Sequence, residues 1–245
     1  MSKQLKIGLL AFVAALCLPC HAQNNPYVDD KLFHFGFQLG INFMSYGITD
    51  SYATIEKLDG KVLHARVDGM LPGFCVAFVT DLRLSKHLNL RITPGLEFAQ
   101  RTISYAYEDG NEFDGLNEGG NIIKRQNLLA IPITIPLYLK WSANRENNFR
   151  PYVLVGGGVS FNLNTGKVDD YVQTKFFDGF VEGGFGCDFY FSWFKFCPQL
   201  TYRVGFVNQL KGIEEYPNPL EGQQVFTGPV SRMLNRAIVL TFNFE

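Results

Sequence analysis

Cysteine is scarce in this sequence and badly spaced for either of its usual structural roles. Five occur in 245 residues, and two of them, Cys17 and Cys20, fall in an N-terminal apolar segment. Cys75, Cys187 and Cys197 remain, an odd number without CxxC spacing, which argues against a disulfide framework or a zinc site. An excess of one charge sign is also missing. The formal net charge is −1, and without Lys3 and Lys6 it becomes −3, from 20 basic and 23 acidic residues. Nothing in that balance points to nucleic acid as a partner. Long apolar runs are lacking beyond the first 22 residues, so no later segment approaches the ~20 residues of a membrane helix. At the N-terminus, Lys3 and Lys6 precede the run from Ile7 to Leu18, and Cys20-His21-Ala22 places small residues where a signal peptidase reads. Residues 1–22 therefore read as a signal peptide and residues 23–245 as one exported domain. Leu16 and Pro19, which precede Cys17 and Cys20, make lipidation an unfavourable reading.

What the sequence has is alternation. From Val181 to Phe191 the odd positions read Val, Gly, Phe, Cys, Phe, Phe, and Glu182, Gly184, Gly186, Asp188 and Tyr190 lie between them. The period of two is that of a strand. After Ser192-Trp193 the parity flips, and Phe194, Phe196, Leu200, Tyr202 and Val204 are even. A reversal at 192–193 explains the flip. Matching the apolar faces requires paired position numbers to add to an odd total, most simply 385. That register sets Glu182 opposite Arg203 on the polar face and puts Cys187 and Cys197 on opposite faces, where they cannot bridge.

The same test finds eight strands: 33–43, 73–84, 88–105, 124–142, 149–163, 176–191, 194–206 and 230–244. Pairing Leu82 with Leu90 places Asp81 opposite Arg91. Connections at 85–87, 143–148 and 192–193 are short, whereas 47–72, 106–123, 164–175 and 207–229 are long and polar. Such asymmetry is that of an outer-membrane barrel, with short periplasmic turns and longer external loops. Trp141 and Trp193 both fall at the short-turn end, as an interfacial aromatic girdle requires. The polar face is rich in Gly, Asn, Gln and Thr, which suits a crowded lumen better than the wet surface of a soluble sandwich. The expectation is an all-β, closed eight-stranded antiparallel transmembrane barrel in the bacterial outer membrane. Lipid and lipopolysaccharide would surround it, and side chains would fill its interior.

Other features give no catalytic, cofactor-binding or metal-binding residue. Pro132 and Pro136 share parity and would both fail to donate towards one neighbour, and Pro94, Pro151 and Pro198 interrupt other strands, which reads as bulges or as a weakened seam where a partner could dock. The loop from Tyr107 to Asn121 holds five acids, but Phe113 stands where a calcium loop needs Asp or Asn; it reads as a solvated external loop. Gly156-Gly157-Gly158 and Gly183-Gly184-x-Gly186 lie inside strands with no following helix, so they do not cradle phosphate. His34, His64 and His87 are placed apart, and the expectation is no enzyme and no cofactor.

HFGFQLGINFM (34–44), PGF (72–74), DLRL (81–84), NLRITPGLEFAQR (89–101), NNFRPYVLVGGG (147–158), GCDFYFSWFKFCPQL (186–200) and SRMLNRAIVLTFNFE (231–245) together resemble the PorT family of outer-membrane barrels. The resemblance covers nearly all of the exported chain and is weakest in the long loops. It implies a non-enzymatic role in type IX secretion, the export of cargo with a C-terminal sorting domain, in company with other proteins of that system. It supplies no catalytic residues. The alternative is a small structural or adhesion barrel of the same kind with no secretion role.

Overall fold

The computed structural model describes residues 28–52, 54–55, 61–68, 70–109, 111–118, 121–165, 171–216 and 222–245. The expected signal peptide lies outside the described residues. Strands follow in the order β1 (Phe33–Asp50), β2 (Thr54–Ile55), β3 (Lys61–Val67), β4 (Pro72–Arg83), β5 (Leu88–Ile92), β6 (Gly95–Tyr107), β7 (Leu116–Glu118), β8 (Asn121–Ile123), β9 (Arg125–Ala130), β10 (Pro132–Ser142), β11 (Phe149–Asn162), β12 (Phe177–Tyr190), β13 (Lys195–Gly205) and β14 (Val230–Phe244). One short helix, α1 (Gln223–Thr227), precedes β14.

Twelve strands share one antiparallel sheet, and β7 and β8 form a separate hairpin. The registers are those the alternation requires. Val181 pairs with Val204, Glu182 with Arg203 and Phe189 with Phe196, while Asp81 pairs with Arg91 and Leu82 with Leu90. The reversal at Ser192-Trp193 is closed by Phe191 N–H donating to Phe194 at 3.0 Å. Of the two cysteines flanking it, Cys197 is fully buried on the inner side, and neither is in a disulfide.

In the half of the ring nearer the short turns the strands turn their apolar sides outwards. In β10 every odd residue from Ile133 to Trp141 is exposed and every even one from Pro132 to Ser142 is buried. Phe35, Phe37 and Leu39 of β1, Phe74 and Phe78 of β4, and Val181 and Phe185 of β12 add to the same exposed apolar band. Asn42, Asp81, Arg91, Lys140, Asp188, Thr241 and Asn243 are buried within. Water would penalise that arrangement at ~25 cal/mol per Å² of apolar surface; hydrocarbon reverses the sign.

The expectation of a closed eight-stranded barrel is corrected here. Counting β5 with β6 and β9 with β10 as bent single strands, eight strands run in a ring that does not close into a barrel. Two interruptions account for this. The ladder between β1 and β4 stops at Phe43 opposite Pro72, beyond which β1 continues to Asp50 paired only with β14. β3 meanwhile runs along β6, so the segment read as a loop at 47–72 contributes strand at both its ends. The second interruption is the seam between β5–β6 and β9–β10. Position numbers there add to one total from Trp141 with Leu88 to Arg125 with Ser104, but pairing fails around Pro136 and Pro132, leaving only Ile133 with Leu96 and Thr134 with Gly95 between them. Thr93 N–H reaches the Pro136 carbonyl at 3.3 Å; proline has no N–H to return the bond. Amides of Thr93, Glu97 and Thr134 are therefore expected to exchange about tenfold faster than those of Val153, Leu154 and Val155 in the unbroken ladders of β11. Equal protection would contradict the seam.

Polarity inverts along the strands. Inward residues of β1 change from His34 and Asn42 to Met44 and Tyr46, while outward ones change from Phe35 and Ile41 to Ser45 and Thr49. In β6 Glu97 and Arg101 are followed inwards by Ile103 and Tyr105. The upper halves of β1, β3, β6, β9 and β14 thus enclose an apolar core, and Val225 and Phe226 of α1 with Phe113 complete it. Tyr105 OH donates to the Phe226 carbonyl at 2.9 Å. All four connections expected to be polar loops are therefore partly core, through Leu63 and Ala65, Phe113, Val172, and Val225 with Phe226. The acidic loop is pinned by Phe113, whose ring meets Tyr105, Tyr107 and Phe226 edge on.

Candidate functional site in the ionic interior

Two ion-pair networks fill the space inside the ring. Near the short-turn end Arg91, fully buried, donates to Asp81 through Nε at 3.1 Å and Nη2 at 2.7 Å, and also to Glu245. Lys140 donates to both oxygens of Asp188, at 3.0 and 2.8 Å, with its ammonium 4.1 Å from the Tyr152 ring centre. Lys195 pairs with Glu245. Tyr152 OH donates to Gln199 at 3.2 Å. One layer further in, Arg203 donates through Nε to Glu182 at 2.7 Å and through Nη1 to Glu97, with its guanidinium 4.3 Å from the Phe180 ring centre. Thr134 OH donates to the same Glu97 at 3.0 Å.

Buried charges persist only when paired and hydrogen-bonded, and these tie distant strands together. Arg91 of β5 meets the residue after β14, Lys140 of β10 reaches β12, and Glu97 of β6 reaches β13. The cross-strand pairs Asp81 with Arg91 and Glu182 with Arg203 are legible in strand parity. Lys195 and Glu245 are also directly opposed, at the ends of the neighbouring strands β13 and β14. Lys140, Asp188 and Glu97 carry only the weaker signal of being charged on an inward parity, because the partners of Lys140 and Glu97 lie across the interior and not on a neighbouring strand.

Space left between the networks is small. One cavity of about 30 Å³ lies among Arg101, Asp178, Asn235 and Tyr46, and another of about 10 Å³ beside Glu97, Glu182 and Thr201. Volumes of that order hold a few waters at most. The glycine runs sit inside β11 and β12; a Cβ at Gly186 would run into the Tyr152 ring, so glycine there makes room for a large inward side chain. His34 is buried facing inwards, His64 Nδ1 lies 2.9 Å from Asp50 in the apolar-cored upper part, and His87 Nδ1 lies 3.0 Å from the Ser142 carbonyl at the opposite end. Among the described residues no group of three His, Cys, Asp or Glu side chains is placed to hold a metal.

A charged, filled interior wrapped in an exposed apolar band defines an integral outer-membrane β-protein. Residues 21–210 match the family described as outer membrane protein beta-barrel domain, and the chain belongs to that family. The crystal structure of the outer membrane protein OprG from Pseudomonas aeruginosa is similar over 85% of this chain and 93% of that one, at 13% identity and a TM-score of 0.45. No curated protein matches the sequence.

Proposed function

We propose that this protein is a non-enzymatic outer-membrane component supporting type IX secretion of cargo with a C-terminal sorting domain. The observation that carries the reading is the interior, crossed by the Arg91 and Arg203 networks, with cavities of about 30 and 10 Å³ among the described residues there. An interior filled in this way suits an accessory part of an export machine, acting through its faces and ends, better than a pore. The strand sequences' resemblance to the PorT family supplies the particular system. Its surroundings are outer-membrane lipid and lipopolysaccharide, its partners other proteins of the secretion system, and residues 1–22 are the signal peptide removed on export.

The test is to delete the gene and locate a sorting-domain cargo protein. Cargo held in the periplasm, and returned to the medium by complementation, is the expected result. Normal secretion would overturn the reading in favour of a structural or adhesion role. A change in lipid A on overproduction would overturn its non-enzymatic part.

A further inference from the structure

At the short-turn end the mouth of the ring is lined by Arg83, Lys86, His87, Arg145 and Arg150, around a cavity of about 270 Å³. The arginines are held in place by backbone and aromatic groups. Arg150, 8% exposed, donates through Nε to the Ala143 carbonyl at 2.9 Å and through Nη2 to the Lys86 carbonyl at 2.6 Å, which leaves Nη1 aimed into the mouth. Arg145 donates through Nε to the Asn147 carbonyl at 2.8 Å, and its guanidinium lies 3.6 Å from the Tyr190 ring centre. Tyr190, 3% exposed, points its hydroxyl to the same spot.

These groups converge on one carboxylate. Asp29, in a single 3-10 turn at Val28–Asp30, accepts from Tyr190 OH at 2.9 and 2.8 Å and lies 3.4 Å from Arg150 Nη1 and 4.0 Å from Arg145 Nη1. Asp30 pairs with Arg83 at 3.0 Å. Two guanidinium groups, each held by bonds to backbone carbonyls, and a phenol form a donor site for a carboxylate of the kind arginine serves best. The occupant is this chain's own acidic turn, joined through Lys31 and Leu32 to β1.

We propose that the basic mouth is a docking site for an acidic peptide segment of a periplasmic partner, and that Asp29-Asp30 occupies it as an internal competitor. The chemistry of the occupant is on display: adjacent carboxylates in a short turn, one half-buried between Arg145, Arg150 and Tyr190 and one on Arg83. The mouth carries more cations than its own turn neutralises, so a partner segment with further acids gains contacts with Lys86 that Asp29-Asp30 does not make. A competitor that fills the site most of the time lowers the partner's apparent affinity by the fraction of time the site is open. This site faces the periplasm if the short turns do, and it stands apart from the secretion reading: it holds or fails whatever system the partner belongs to.

The test uses the exported chain folded in detergent micelles and a fluorescent peptide copying residues 26–33. Asp29→Asn with Asp30→Asn is expected to bind the peptide at least tenfold more tightly than the parent, since the internal competitor is weakened. Adding Arg145→Gln and Arg150→Gln to that variant is expected to abolish binding, and a peptide with both aspartates replaced by asparagine is expected not to bind. If the glutamine variant does not fold, Arg145→Lys with Arg150→Lys keeps the charge but loses the fork, and is expected to weaken binding at least fivefold. Equal peptide binding by the parent and the Asp29→Asn, Asp30→Asn variant would overturn the competition. Binding unchanged by either arginine replacement would overturn the site. Displacement of the peptide by inorganic phosphate at equal molar concentration would overturn the assignment to a peptide and make the mouth a general anion site.

Discussion

Replacing Arg203 with alanine is expected to destabilise the folded protein by about 3–5 kcal/mol, the range for removing one partner of a buried ion pair. Arg203 is 7% exposed and sits between Glu182 and Glu97. Its loss leaves two carboxylates facing each other inside the ring, with Thr134 OH as a remaining donor to one of them. The measurement is equilibrium unfolding in urea after folding into lipid vesicles, read as heat-modifiable mobility on a gel. Arg203→Ala with Glu182→Gln and Glu97→Gln is expected to recover much of the loss, because the orphaned charges go with it. A single variant as stable as the parent would contradict the register that pairs Glu182 with Arg203.

The second large effect belongs to the outer face. Leu137 is exposed midway along β10, flanked by Ile92 and Gly157 on the neighbouring strands. Leu137→Arg is expected to cost about 2–4 kcal/mol in a bilayer, as a cation on the lipid face near the midplane does. Ser231 is also exposed, but on the part of β14 that lies beyond the point where inside and outside exchange polarity. Ser231→Arg is expected to change stability by less than about 0.5 kcal/mol, as surface replacements in water do. Vesicle refolding of both variants separates the readings. Equal effects would mean that the polarity inversion at Phe43–Met44 and at Arg101–Ile103 does not mark the edge of the membrane.

The two replacements probe one physical fact from opposite sides. Hydrocarbon outside leaves no cost in exposing Phe37, Leu137 or Val181, so the interior is free to hold charge provided each charge finds a partner. Above the membrane water returns, and the same strands bring Tyr46, Leu63, Ile103 and Phe226 inwards around a core of the ordinary soluble kind. Protein of both kinds is thus built on continuous strands, with only the side-chain pattern changing.

Strand parity was legible from side chains alone because each residue's face depends only on its own position in a two-residue period. Register followed where both faces had a clear polarity, which is why Asp81 with Arg91 and Glu182 with Arg203 could be paired without coordinates. The membrane band was legible for the same reason, since eleven alternating residues from Phe33 to Phe43 match the ~9–11 that cross a bilayer as a strand. Proline in β10 announced its own consequence, a missing donor, though not which ladder would lose it.

Closure, the upper core and the interior networks were decided only by the tertiary structure. Whether β1 keeps a second partner beyond Phe43 depends on where β3 goes, and β3 follows Ile103–Tyr107 of β6, more than fifty residues away in the chain from the end of β1. Phe113 and Phe226 are hydrophobic residues in polar stretches, and nothing local distinguishes a loop that is solvated from one that folds back over a strand end. Arg91 meets Glu245 across a separation of 154 residues, and Lys140 meets Asp188 across 48. Pairs of that kind have no sequence period, because the distance between them is set by the curvature of the whole wall: the alternating chain determines which side chains face inwards, and the ring of strands decides which of them meet.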